Sequence, residues 1–172
     1  EAHQTALKYG GRTIAVLGNG LLEYYPKENM KLQDKISINS AVISEFPLKQ
    51  RPDKYHFPRR NRIIAGLSMS TLVVEAAASS GAVITAELAA EYGRDVFAVP
   101  GPIFSAYSKG PNNLIKNGSL IALEPQDIVN EIYSLSKWVN KRKQQKKLKN
   151  ESMSDIKDKN SINILKMIKS SV

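Results

Sequence analysis

The most chemically loaded stretch of the chain is Lys49 to Arg62, which holds six cations (Lys49, Arg51, Lys54, Arg59, Arg60, Arg62) against one acid, Asp53. Tyr55, His56 and Phe57 interrupt the charges. Ammonium and guanidinium groups neutralise phosphates, and an aromatic face stacks a base whatever its identity. The combination therefore suits an unpaired polynucleotide strand. A solvated loop running into an ordinary basic helix accounts for the charges too. One consideration weighs against that plainer account. Cations near the start of a helix oppose its macrodipole and cost stability unless offset, so an anion is expected close to Arg59, Arg60 and Arg62.

Three other segments could hold an anion. Gly18-Asn19-Gly20 follows an apolar run and invites the dinucleotide-binding fingerprint, with Glu45 at the end of the next strand in the role of the ribose-binding acid. The third glycine position, however, holds Glu23, and the helix starts only after Pro26, which displaces its N-terminus from where a pyrophosphate would lie. Ser79-Ser80-Gly81 places hydroxyls and backbone N–H groups at the head of a helix, where they serve equally as a phosphate cradle or a simple cap. The Ser108 to Asn112 turn has the same ambiguity and adds Lys109. Glu75 is the one acid worth testing as a catalyst, a capping role being the alternative.

The chain has no Cys, which excludes disulfides, thiolate metal sites and cysteine nucleophiles; His3 and His56 are its two imidazoles. It contains no phosphate-binding G-x-x-x-x-G-K-[ST] loop, HExxH motif or G-x-S-x-G elbow. No catalytic residue, metal or cofactor is expected.

Alternating elements must position these segments. Strands are expected at Thr13–Leu17, Ala41–Ser44, Thr71–Glu75, Asp95–Val99 and Leu120–Leu123. Helices are expected at about 29–36, 59–67, 83–92, 109–116 and 125–135, and a long loop over 46–58. Apolar strands alternating with helices predict an α/β fold, a Rossmann-like parallel sheet with helices on both faces. Ligands in such folds sit beyond the carboxyl ends of the strands, which points to 18–20, 45–58, 75–81 and 100–109 together.

The net charge of +9 is unevenly spread. Residues 1–132 carry 14 Lys or Arg against 13 Asp or Glu, and residues 133–172 carry 11 against 3, so the tail owns the basicity. Domain boundaries are expected at 1–136 for the folded part, 137–160 for a basic polar linker, and 161–172 for a short apolar helix that could begin another domain. No apolar run reaches the roughly 18 residues that cross a bilayer. The opening EAHQTALKYG looks like no targeting peptide, so a cytoplasmic protein without a membrane partner is expected.

The segments TIAVLGNG, YYPKEN, AVISEFP, FPRRNRIIAGLS, LVVEAAASSGAVITAELAAEYGRDVFAVPG and SKGPNNLIKNG resemble, in order, the Rossmann-like domain of the DNA-processing protein A family (DprA/Smf). The resemblance covers residues 1 to about 132. It implies sequence-independent single-stranded DNA binding, a homodimer, and a non-enzymatic mediator that loads the RecA recombinase during natural transformation. Lys54 and Phe57 match the family's lysine and base-stacking aromatic, Arg59, Arg60 and Arg62 its basic segment, and Gly18 to Gly20 and Ser79 to Gly81 turns of the same pocket. EAHQTAL resembles the helix that follows the family's glycine-arginine motif, so that motif and the first strands are expected to be missing here. Leu22 stands where the family usually has an acid. Two other readings stay open: a phosphoribohydrolase-like enzyme on the same fold, whose PGGxGTxxE motif GLSMSTLVVEAAASSG lacks, and a remnant that only dimerises.

Overall fold

The computed structural model describes residues 1–132 together with Lys137 and Asn140. Five parallel strands alternate with helices: α1 (Ala2–Lys8), β1 (Ile14–Val16), α2 (Met30–Asn39), β2 (Ala41–Ile43), α3 (His56–Leu67), β3 (Ser70–Val73), α4 (Gly81–Glu91), β4 (Asp95–Ala98), α5 (Lys109–Lys116), β5 (Leu120–Ile121) and α6 (Pro125–Glu131). The α/β class holds. The expected single sheet does not: β1 pairs with β2, and β3, β4 and β5 form a separate sheet in that order.

At the break the outward backbone carbonyl of β1 has a side-chain partner. Leu17 N–H donates to Ile43 O at 2.9 Å, so the odd residues of β1 turn their polar groups toward β2 and the Val16 carbonyl faces the other way. That carbonyl accepts from Arg60 Nη1 of α3 instead of a neighbouring strand. A cavity of about 500 Å³ lies alongside, lined by Ile14, Val16, Arg60, Ile64 and Leu67 among others.

Residues 1–123 form one compact unit. Its apolar core gathers Ala65 of α3, Val73 and Ala76 of β3 and the turn after it, Val83, Ala86 and Ala89 of α4, Val96 and Ala98 of β4, and Leu114 of α5. The spacing Val83, Ala86, Ala89 sets one face of α4 against the sheet, and small side chains let helix and strand come close. Ser80 caps that helix, its Oγ accepting from Ala82 N–H at 3.2 Å.

Past residue 123, α6 starts with Pro125 at its first position and a reciprocal capping box between Glu124 and Asp127, as a helix opening on proline should. It runs to Glu131. The part expected at 133–135, most of the linker and all of the apolar stripe lie outside the described residues. No helix among the described residues is long and apolar enough to cross a membrane.

Candidate nucleic-acid interface

The loop before α3 is shorter than its prolines suggest. Asp53 Oδ1 accepts from Tyr55 N–H at 2.8 Å and its carbonyl from His56 N–H at 3.0 Å, an Asx-turn that starts the helix at His56. Pro58 therefore sits inside the first turn, where a missing N–H breaks no intrahelical bond. Phe57 and Arg60 then share one flank of α3, Arg59 and Arg62 the other, while Asn61 and Ala65 point into the protein.

On the first flank Phe57 lies against the Gly18 turn. A Cβ on Gly18 would stand 2.8 Å from Phe57 Cδ1, so glycine is what lets the ring rest on the backbone. Tyr25 meets the same ring at 5.7 Å between centroids, and the Arg60 guanidinium lies 5.8 Å from its centre. Asn19 is 1% exposed and spends its amide on the turn itself, Nδ2 donating to Glu23 O at 2.7 Å and Gly20 O at 3.1 Å. The Asn19 backbone carbonyl accepts from Ser44 Oγ at 2.6 Å. Gly20 completes the junction with the 46–58 loop: its N–H donates to Gln50 O at 2.8 Å, and any Cβ there would overlap the carbonyls of Pro47 and Leu48.

The arginines divide by task. Arg60 is turned inward, donating to Val16 O and, at 3.2 Å, from Nε to Asn61 Oδ1; burial holds its pKa below the ordinary guanidinium value. Arg62 pairs with Glu45, so the anion expected near these cations is supplied by the protein, and the acid considered for a ribose is engaged. Arg59 lies 5.8 Å from the centre of Phe46, which stacks on His56 at 4.1 Å. His56 Nδ1 is buried and has no hydrogen-bond partner among the described residues. Lys54 Nζ stands 5.0 Å from the ring centre of Tyr55, itself 72% exposed.

Asn61 carries the site across to α4. Its Nδ2 donates to Gly81 O at 3.3 Å, beside the Ser80 cap, while Ser79 lies exposed in the preceding turn. Gly18, Phe57, Arg60, Asn61 and Gly81 thus form one continuous chain of contacts. Lys54 and Lys109 stand outside it. Lys109 opens α5 in an exposed position, and its neighbour Gly110 donates to Ala76 O at 2.9 Å, tying that turn to the end of β3.

Residues 1–133 match the family model of DNA recombination-mediator protein A. The chain belongs to this family. Over 130 residues it is 49% identical to the DNA processing protein DprA of Streptococcus pneumoniae, a match covering 76% of this chain and 46% of the relative. Over 139 residues it is 48% identical to Protein Smf of Escherichia coli, covering 80% and 37%. The chain thus spans less than half the length of these curated relatives. The X-ray structure of the S. pneumoniae DprA superposes with a TM-score of 0.71 at 48% identity, over 76% of this chain and 46% of that one. A DNA processing protein A of Helicobacter pylori, solved for its single-stranded DNA binding mode, gives 0.65 at 28% identity, over 71% and 56%. The DprA/Smf resemblance is borne out.

Sequence reasoning missed three contributors. Tyr25 sits on Phe57, and its signal was an aromatic beside Pro26. Phe46 carries Arg59, with no periodicity around it to mark it. Asn61 hides among arginines, and only its helical spacing with Ala65 sets it apart.

Proposed function

We propose that the chain is a sequence-independent single-stranded DNA-binding module, and that within its family it acts as a non-enzymatic mediator delivering strands to the RecA recombinase in DNA uptake and recombination, as a cytoplasmic homodimer. The observation that carries this reading is the convergence of the Gly18 to Gly20 turn, the Phe57 ring and the basic start of α3 at the carboxyl edge. Phe57 is half-buried between Gly18, Tyr25 and the Arg60 guanidinium, so its remaining exposed part and the exposed Tyr55 ring are the aromatic surfaces offered to a base. Arg60 is committed to Val16 and Asn61 and Arg62 to Glu45, so Lys54 and Arg59, with Lys109 and the capped head of α4, are the groups that meet phosphates. Arg60 contributes by fixing the ring and the edge.

The test is fluorescence anisotropy of oligo-dT against the full 172-residue chain over a salt series. Lys54→Ala and Arg59→Ala are each expected to flatten the log–log salt slope by about 0.7, one phosphate contact apiece. The tail is common to all variants, so its contribution cancels in the difference. Binding that is indifferent to both substitutions would overturn the reading. Titration with AMP and NAD checks the enzyme alternative, and heat on mixing that saturates at one site per chain would revive it.

A further inference from the structure

A second group of cations converges away from the α3 edge, on a cleft of about 770 Å³ between α1 and α2. Lys8 comes from α1, Arg12 from the turn into β1, and Lys31 and Lys35 from α2; among the described residues Glu28 is the one carboxylate in its lining. The concentration is local, because residues 1–132 as a whole are nearly neutral. Among the described residues none of these four cations has an ion-pair partner, the carboxylate Glu45 being taken by Arg62.

The helix geometry makes the arrangement costly when empty. Lys31 and Lys35 are four residues apart on one face, a like-charged neighbour pair, and Lys31 stands in the first turn of α2, where a cation opposes the macrodipole. Asn29, at the cap, makes no side-chain hydrogen bond to the first turn. Facing cations across the cleft add to the repulsion. A bound anion relieves all of these terms together.

Topology says where the cleft leads. In the β1-α2-β2 unit the helix runs antiparallel to both strands, so its start at Asn29 lies at the carboxyl edge with Gly18 to Gly20, and its end at Asn39 lies at the opposite edge, near Arg12. The ten residues of α2 make a wall about 15 Å long, at 1.5 Å per residue. Among the described residues no aromatic side chain lines it; the exposed Tyr9 ring stands beside the lining, 5.7 Å from Lys8 Nζ. The lining itself offers charge without a stacking surface, a combination that recognises phosphates more than bases.

We infer that this cleft is a phosphodiester track, receiving the part of a single-stranded DNA that leaves the carboxyl-edge site and passes down the α1–α2 face. The inference rests on the single-strand reading above. Lys8, Arg12, Lys31 and Lys35 hold successive phosphates, and Glu28 at the upper end is a repelling group that the strand passes.

The experiment uses the full chain and two labelled oligo-dT probes, one of about 6 nucleotides and one of about 20, the range over which a single-strand site is filled and then exceeded. Salt is lowered until the short probe binds. The Lys31→Gln/Lys35→Gln double variant, both residues exposed, is expected to bind the short probe as the parent does. On the long probe it should bind about tenfold more weakly, with the salt slope reduced by about 1.4, two phosphates at 0.7 each. An unchanged affinity and slope on the long probe overturns the track. So does equal weakening on both probes, which would mean a diffuse field. Binding of inorganic pyrophosphate that the variant abolishes, without any change on the long probe, would mark a small polyphosphate site and also overturn it. Lys54→Ala/Arg59→Ala separates the two claims. If that variant keeps its short-probe affinity, the carboxyl-edge reading fails, while a selective long-probe loss in the cleft variant still stands.

Discussion

The two halves of the 1–123 unit are held together by different chemistry. Around β3, β4 and β5 the cohesion is apolar, with Ala65, Ala86 and Ala98 fully buried and Phe97 1% exposed. Around β1 and β2 few apolar residues are buried, Ala15, Val16 and Ile36 chief among them. There the elements are tied by polar groups: Asn19 to Glu23, Ser44 to Asn19, Ser40 to Thr13, Arg60 to Val16 and Arg62 to Glu45. Apolar packing is non-directional and tolerates no voids. Hydrogen bonds are directional and contribute modestly each. The candidate site occupies the polar half and borrows rigidity from the apolar one through α3, which buries Ala65 in the core and sends Phe57 and Arg60 to the β1 edge.

The largest effect should come from the apolar half. Phe97→Ala empties a fully enclosed position in β4 and is expected to cost about 3 to 5 kcal/mol, read as a drop in the urea midpoint with loss of cooperativity across the unit. A cost under about 1 kcal/mol would mean that the three-stranded half is not the source of stability. Next comes Asn19→Ala, which leaves the Glu23 and Gly20 carbonyls without their donor in a buried turn. About 1 to 3 kcal/mol is expected, together with weaker oligo-dT binding, because Phe57 rests on that turn. Equal stability and equal binding would show the polar ties to be incidental.

The same contrast governs how much the sequence could disclose. Helix α4 reads from the Ser79 to Gly81 opening, the helical repeat of Ala86, Leu88, Ala89 and Tyr92, and Gly93, because such periodicity is local; its buried face proves to be Val83, Ala86 and Ala89, with Tyr92 exposed. The strand positions follow from short β-branched runs for the same reason. What could not be read is everything fixed by contacts distant in sequence. That the Val16 carbonyl of β1 meets a guanidinium 44 residues away, and not a strand of the other sheet, is one such contact. The basic run from Lys49 to Arg62 gave the location of the candidate site, but equivalent-looking arginines proved to have three destinations: a carbonyl, an aromatic ring and a carboxylate. Charge is visible in a sequence, and its partner is not. Pro58 misled for the opposite reason, since a residue that usually ends helices is harmless in a first turn.

Smaller effects sharpen the comparison at the edge itself. The Arg62–Glu45 pair is partly exposed, with side-chain accessibilities of 46% and 33%, so Glu45→Gln should change stability by less than about 1 kcal/mol. It also releases Arg62 and adds one positive charge beside Lys54 and Arg59. Oligo-dT should bind more tightly, with a salt slope steeper by up to about 0.7. Unchanged binding would place Arg62 away from the strand.

The smallest shift expected is a pH effect confined to the polar half. His3 Nδ1 lies 2.6 Å from Thr13 Oγ1, and its pKa is lowered from 6.5, first by burial and then by the positive charges of the chain's amino group and Arg60. Below 6.5 the unfolded chain takes up a proton that the folded one still refuses. Stability contributed by neutral His3 is therefore complete above that value, falls as the pH drops toward the folded pKa, and changes no further beneath it. Denaturant midpoints at about pH 7.5 and 5.5 should show this loss in the parent and a smaller one in His3→Gln, which keeps a polar contact but cannot be protonated. A matching acid sensitivity in the variant would assign the loss to carboxylates elsewhere, the apolar cluster of Ala86, Val96 and Ala98 being built of residues that do not ionise.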